Sequence, residues 1–261
     1  MSANVQEVAV IRFRRTAIAL AAASCAASAL SACAYNEALG RNQFLLVDNA
    51  ALSQQSTAAW REAVAKPGVS TSGAQVDRIR RVGDQLVQAA GLGNRTWDYA
   101  VFTEASPNAF VLPSGQIGVT TSLLALVQND DQLASVIGHE IGHVVANHAA
   151  ERASNQTLTS VGLAAVQGAA GRYGDAVSAY GGLAAQYGLL LPYSRRDELE
   201  ADRLGVDYMA GAGFRPSEAV ALWRLMAAQR QTQTPQFAST HPSDATRIEM
   251  LQQYIASRGW N

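Results

Sequence analysis

Residues 134–152 read ASVIGHEIGHVVANHAAER, and they hold three of the four histidines in this 261-residue chain. Apolar residues recur through the stretch at helical spacing, which predicts a helix from Asp131 to about Arg152. Asp130 and Asp131 are expected to cap it and to place negative charge at its start, where the helix dipole favours it. On such a helix His139 and His143 stand one turn apart on one face, so both imidazoles reach a single ion. Glu140 is turned roughly 100° from His139, too far to join as a ligand but near enough to reach a water beside the ion. Two ligands do not make a site. A second element must therefore bring a third ligand to this helix, and that requirement limits the fold more than any other feature.

The residue types suit zinc, which takes neutral imidazole at about 2.0–2.1 Å, prefers four ligands and, in catalytic sites, keeps one position for a water made acidic by the metal. Glu140 is then the candidate base that accepts the water's proton and passes it to a leaving amine. His148 is a poor third ligand: on a continuing helix it lies about 180° from His139. The metzincin glycine and histidine positions hold Ala146 and Ala149 instead. His148 is expected at the surface or behind a ligand. The better source is YSRRDELEADRLG, residues 193–205. A carboxylate from this second helix completes the His₂Glu set of gluzincins. Glu198 and Asp202 are one turn apart, so Glu198 can bind metal while Asp202 hydrogen-bonds a ligating imidazole. Glu200 is the alternative ligand; otherwise Asp197 and Glu200 are expected to face solvent.

Hydrophobic residues make up 48% of the chain, enough for one substantial core or two small ones. A net charge of −1 argues against a nucleic-acid partner. The fold expected is mainly α with a small β-sheet or hairpin: helices over 50–65 and 74–91, a strand in WDYAVFT, and two strands around the turn Pro113–Gly115. The helix of the histidines follows, then three more: Arg195–Ala212, Pro216 to about Arg230, and Asp244–Ser257. Residues 157–191, rich in Gly and Ala, are expected as closely packed helices or a mobile hairpin, with core packing favoured over lipid contact and a lid left open.

The first residues have the basic start and apolar run of a secretory signal peptide. Its end, Leu30-Ser31-Ala32-Cys33, resembles the lipobox of bacterial lipoproteins, which implies cleavage before Cys33 and lipidation of its thiol. Ala34 in the next position implies sorting to the outer rather than the inner membrane. The expected organisation is a leader over 1–32, a lipid-anchored tether over 33–49 and a catalytic domain over 50–261.

Taken together, NAFVLPSGQIGVTTSLL, DDQLASVIGHEIGHVVANHAAER, YSRRDELEADRLG and STHPSDATRIEML resemble, in order, the motifs of the family forty-eight metallopeptidases. This is the HtpX-like, Oma-like and CAAX-prenyl-protease group, and the chain is most similar to its small periplasmic lipoprotein members. The resemblance covers roughly residues 75–257. It implies one zinc on His139, His143 and Glu198, with Glu140 as base and Asp202 in support. It also adds His241-Pro242, with Arg247 beyond; a loop histidine there would stabilise the oxyanion or occupy the metal's open position. An edge strand, Phe110-Val111-Leu112 or Gln116 to Val119, would pair with an extended substrate. The implied activity is zinc endopeptidase cleavage of unfolded or misassembled envelope proteins at the periplasmic face of the outer membrane. The alternative is a chaperone-like factor working with the outer-membrane assembly machinery and cutting little.

Overall fold

The structure, a computed structural model, describes residues 33–168, 193–229, 241 and 245–260. The expected leader, Pro242, and most of the hairpin or lid expected in residues 157–191 lie outside the described residues. The chain divides into two units, one ending at Leu46 and one starting at Val47. In the first, the stretch expected as a tether carries an antiparallel hairpin of β1 (Cys33–Asn36) and β2 (Arg41–Phe44), with Cys33 opposite Phe44. Gly40 closes its turn at φ 65°, a conformation that glycine adopts without steric cost, and donates its N–H to the Asn36 carbonyl. Cys33 is exposed.

The second unit opens with α1 (Asn49–Val64), capped by the Asp48 side chain, which accepts from the Ala50 amide. It continues through β3 (Val69–Ser70), α2 (Ala74–Ala89), β4 (Asp98–Phe102), β5 (Ala109–Leu112) and β6 (Gln116–Thr120). The four strands form one sheet in the order β3-β4-β6-β5, with β4 and β6 parallel and the other pairs antiparallel. Successive side chains of a strand point to opposite faces. On one face Ala100, Phe102, Phe110 and Leu112 pack with Trp60 of α1; the aromatic rings meet edge-on or tilted, with centroids 5.4–6.4 Å apart. Tyr99 and Val101, on the other face, lie toward α2, whose stripe of Val76, Ile79, Val82, Leu86 and Val87 is buried as its spacing predicted. Each such side chain contributes about 1.5–3 kcal/mol by leaving water.

The register decides which strand can receive another chain. β6 is paired on both sides, so Gln116 to Val119 is not an edge; β5 is the outer strand. Of the two edge strands considered from sequence, only Phe110 to Leu112 is available. Phe110 and Leu112 spend their side chains on the Trp60 cluster, which leaves the backbone of β5 as the feature to offer.

After α3 (Thr121–Leu126) comes α4 (Asp130–Val145), the histidine helix. Its cap is Asn129, whose side chain accepts from the Gln132 amide, not the aspartate pair. Asp130 instead binds Arg78 and Arg81 of α2, and Asp131 binds Arg215. Every residue from Gln132 to His143 is buried. A helix covered on all sides in this way is a core element. Its expected continuation to Arg152 does not occur. Helix α4 stops at Val145, Asn147 takes a left-handed conformation (φ 52°), and α5 (His148–Gly168) starts afresh. Asparagine tolerates that region better than most residues, which is why the break falls there. The last helices are α6 (Arg195–Gly211), α7 (Ser217–Gln229) and α8 (Ala245–Ser257).

Helix α4 packs most extensively on α6. The approach is close because glycines line part of the contact. A Cβ on Gly142 would meet the Ala201 carbonyl oxygen at 2.8 Å, and one on Gly205 would meet the His139 amide nitrogen at 2.8 Å. Gly138 faces Gly205 in the same seam. Small residues thus set the gap across which ligands from two helices meet.

Candidate metal centre

Four side chains converge between α4, α6 and the segment before α8: His139, His143, Glu198 and His241, all buried, with donor atoms within 4.8 Å of one another. His139 Nε2 lies 3.1 Å from His143 Nε2 and 3.2 Å from His241 Nδ1. Glu198 Oε1 is 3.0 Å from His241 Nδ1 and 3.7 Å from His143 Nε2, and Glu198 Oε2 is 3.5 Å from His139 Nε2. A tetrahedral zinc with ligands at about 2.0–2.2 Å has ligand-to-ligand edges of roughly 3.3–3.6 Å. The cluster therefore has the size, the donor types and the number of corners of one zinc site.

Its electrostatics point the same way. Glu140, Glu198 and Asp202 are buried carboxyls, and Arg247, the one buried guanidinium among the described residues, pairs with Glu198 and Asp202. Burial alone would raise the Glu198 carboxyl, but Arg247 and hydrogen bonds from His139 and His241 outweigh it and hold it far below the usual range. Asp202 is likewise lowered: burial opposes ionisation, and Arg247 and His139 overcome it. Burial also disfavours charge on His139, yet Asp202 and Glu198 raise its pKa to about 9. The site draws positive charge onto that ring. His143 shows the opposite, pushed well below its ordinary value by burial and by the neighbouring His139 and His241. A neutral imidazole is the form that binds metal.

Each ligand has a support. His139 Nδ1 is 2.9 Å from Asp202 Oδ1, which fixes the tautomer that leaves Nε2 with its lone pair toward the cluster. Arg247 grips Asp202 with two bonds, Nε to Oδ2 at 2.6 Å and Nη2 to Oδ1 at 2.7 Å, and reaches Glu198 Oε2 through Nη1 at 2.5 Å. Its guanidinium lies over the Trp223 ring, 4.1 Å from the centroid. Helix α6 starts with a capping box, Ser194 and Asp197, which places Glu198 in the first turn.

Glu140 stands beside the four donors rather than among them. Its Oε1 is 3.3 Å from His241 Nε2 and has no hydrogen-bond partner among the described residues. Burial raises its pKa, against the opposing pull of His241 and His139, and the Val111 amide of β5 also hydrogen-bonds it. A carboxyl raised by burial, beside a donor cluster and next to an outer strand, is placed to accept and return a proton.

The site brings together His139, Glu140, His143, Glu198, Asp202, His241 and Arg247. Phe110, Val111 and Leu112 lie alongside through Val111, and Cys33 belongs to the other unit. Sequence reasoning missed two neighbours, Tyr193 and Trp223, and left His148 between two places, the surface or behind a ligand. Tyr193 stacks on His143 with centroids 4.0 Å apart, and Trp223 underlies Arg247. His148 is fully buried and 2.9 Å from His143, because the chain breaks at Asn147 instead of carrying His148 to the far side. Asp197 and Glu200 are only partly exposed, Asp197 in the capping box and Glu200 bound to His148. The Asn147-His148 pair carried the one available signal, a residue tolerant of positive φ where the apolar periodicity ends.

A family model described as Peptidase family M48 matches residues 74–255. The chain is 36% identical over 181 residues to "Mitochondrial metalloendopeptidase OMA1" of Schizosaccharomyces pombe, covering 68% of this chain and 52% of that protein. It is 30% identical over 231 residues to "Metalloendopeptidase OMA1, mitochondrial" of Homo sapiens, covering 83% and 43%. To the "Beta-barrel assembly-enhancing protease" of Yersinia pestis it is 28% identical over 185 residues, covering 65% and 37%. The chain spans about half or less of the length of these relatives.

Proposed function

Since this chain belongs to peptidase family M48, we propose that it is a zinc endopeptidase that cleaves unfolded or misassembled envelope proteins at the periplasmic face of the outer membrane. The convergence of His139, His143, Glu198 and His241 beside a buried Glu140 carries the reading. Zinc on these ligands supplies a Lewis acid that polarises the scissile carbonyl and acidifies water. The remaining steps belong to the protein. Glu140 accepts the proton of the attacking water and delivers it to the leaving amine. His241 has two uses of its ring: Nδ1 faces the other donors, and Nε2 faces Glu140. It either completes the ligand set at rest or donates to the oxyanion during turnover. Substrate in extended form adds along β5, the outer strand that carries Phe110, Val111 and Leu112; main-chain pairing favours unfolded segments and asks little of side chains.

The address rests on the first residues. A leader over 1–32 and a lipidated Cys33 would tether residues 33–49 and the catalytic domain (50–261) to the membrane, as in the small periplasmic lipoproteins of the family. Exposure of Cys33 is compatible with this. Among the described residues no helix is long and apolar enough to cross a membrane. Labelling with palmitate should mark the wild type and not Cys33→Ala.

The relative named for β-barrel assembly supports a second reading, in which binding of outer-membrane clients matters more than cutting them. Glu140→Gln separates the two. It should keep zinc and fold while hydrolysis of unfolded casein drops about 10²- to 10⁴-fold. If cells carrying the variant nevertheless handle misassembled envelope proteins as well as wild type, hydrolysis is not the main task.

A further inference from the structure

His143 Nδ1 lies 2.9 Å from His148 Nδ1, and His148 Nε2 lies 2.9 Å from Glu200 Oε2. None of these contacts is needed to explain the four-donor cluster. We propose that His148, oriented by Glu200, is a positioning residue for His143: it holds that ring in the one tautomer and rotation that present Nε2 to zinc. The proposal rests on the zinc reading above and extends it to a residue outside the ligand set.

The tautomers follow in sequence from the two ends. Nε2 of His143 must keep its lone pair to bind metal, so its proton sits on Nδ1. That N–H has to donate, and His148 Nδ1 is the atom in reach, so His148 carries its own proton on Nε2. This second N–H points at the Glu200 carboxylate, which accepts. Every nitrogen in the row then has one role, set by a cation at one end and an anion at the other. The arrangement parallels Asp202 behind His139, with an imidazole interposed where, among the described residues, no carboxylate reaches His143 Nδ1. Packing adds to it: the His148 side chain is fully buried, and Tyr193, itself covered by Arg152, stacks on the His143 ring.

A second cation on His148, Asp197 and Glu200 is the competing use of these groups, since their donor atoms also lie close together. The geometry disfavours it. Both His148 nitrogens are committed in the scheme above, and Arg196 already sits 3.4 Å from Asp197 and 4.0 Å from Glu200, and binds Glu151 at 3.2 Å.

The test measures zinc affinity of the purified full chain by competition with a chromogenic chelator, alongside the absorption spectrum of the cobalt-substituted protein. His148→Ala should weaken zinc about 10- to 100-fold, the usual loss when a ligand's hydrogen-bond partner is removed, and should shift the cobalt bands. His148→Asn, whose amide oxygen can accept from His143 Nδ1, should recover most of the affinity. Glu200→Gln, a partly exposed and nearly isosteric change, should give a smaller loss with the metal-free melting temperature unchanged. These last two variants decide the matter if His148→Ala does not fold. Wild-type affinity in folded His148→Ala and in Glu200→Gln would overturn the proposal, as would an asparagine variant no better than alanine. Two zinc ions per wild-type chain, falling to one in His148→Ala, would overturn it in favour of the second cation. A wild type that takes up no zinc would bring down the parent reading as well.

Discussion

Arg247 is the residue on which the anionic side of the centre depends. It binds Asp202 with two hydrogen bonds and forms an ion pair with Glu198, and it is 2% exposed. Removing one member of such a buried group leaves the others as uncompensated charge, at about 3–5 kcal/mol. Arg247→Met should therefore destabilise the metal-free protein by that amount near pH 7. The sign with pH follows from the shifts. Arg247 holds the Glu198 and Asp202 carboxyls below their ordinary values near 4, so the stability they lend is full above that range and is lost as pH falls through the lowered values. In the variant, burial instead pushes both carboxyls up, and acid relieves the strain. The difference in stability between wild type and variant should shrink below about pH 4, as read by denaturant titration across pH; a difference that grows there would contradict the assignment. At this scale His139, Glu140, His143, Glu198 and Asp202 were legible from spacing, because helical geometry ties sequence separation to direction. His241 and Arg247 were reached only through resemblance, since a segment far along the chain has no fixed geometric relation to α4. His148 was left between the surface and a place behind a ligand, because its direction depended on a helix break one residue earlier.

Two helices, α4 and α6, determine whether the ligands meet. The glycine seam explains their closeness: a Cβ at position 142 would press on backbone, which cannot swing aside as a long side chain can. Gly142→Ala should cost about 1–3 kcal/mol in stability, by overpacking, and should weaken zinc by moving Glu198 away from the histidines. Melting and metal titration of the same variant check both; a variant as stable and as tight-binding as wild type would show the seam to be looser than described. The break at Asn147 makes a separate prediction. Asn147→Ile forces a β-branched residue to φ 52° and should lose about 1–2 kcal/mol, while Asn147→Gly should be tolerated. Helix α2 and the β5–β6 turn fell where apolar periodicity and turn residues placed them, whereas the β1–β2 hairpin, β3 and the break before α5 were not readable. Which strand of the β5–β6 hairpin forms the edge was not readable either. That depends on the parallel pairing of β4 with β6, a long-range choice that local pattern does not encode.

For the whole molecule, the sheet and the surrounding helices serve to keep α4 dry. Helix α4 is buried from Gln132 to His143, which lets Glu140 keep a raised pKa, and β5, the outer strand of the sheet, runs beside it through Val111. The mainly α architecture with a small sheet, and one zinc centre shared by two helices, were apparent from motif order. The most direct measurement is the metal content of the purified full chain by mass spectrometry, on wild type, Glu198→Ala and Glu200→Ala. One zinc per wild-type chain, lost in Glu198→Ala and retained at weakened affinity in Glu200→Ala, is the expected result. A wild-type chain that folds normally, carries no zinc and takes none up on titration would contradict it.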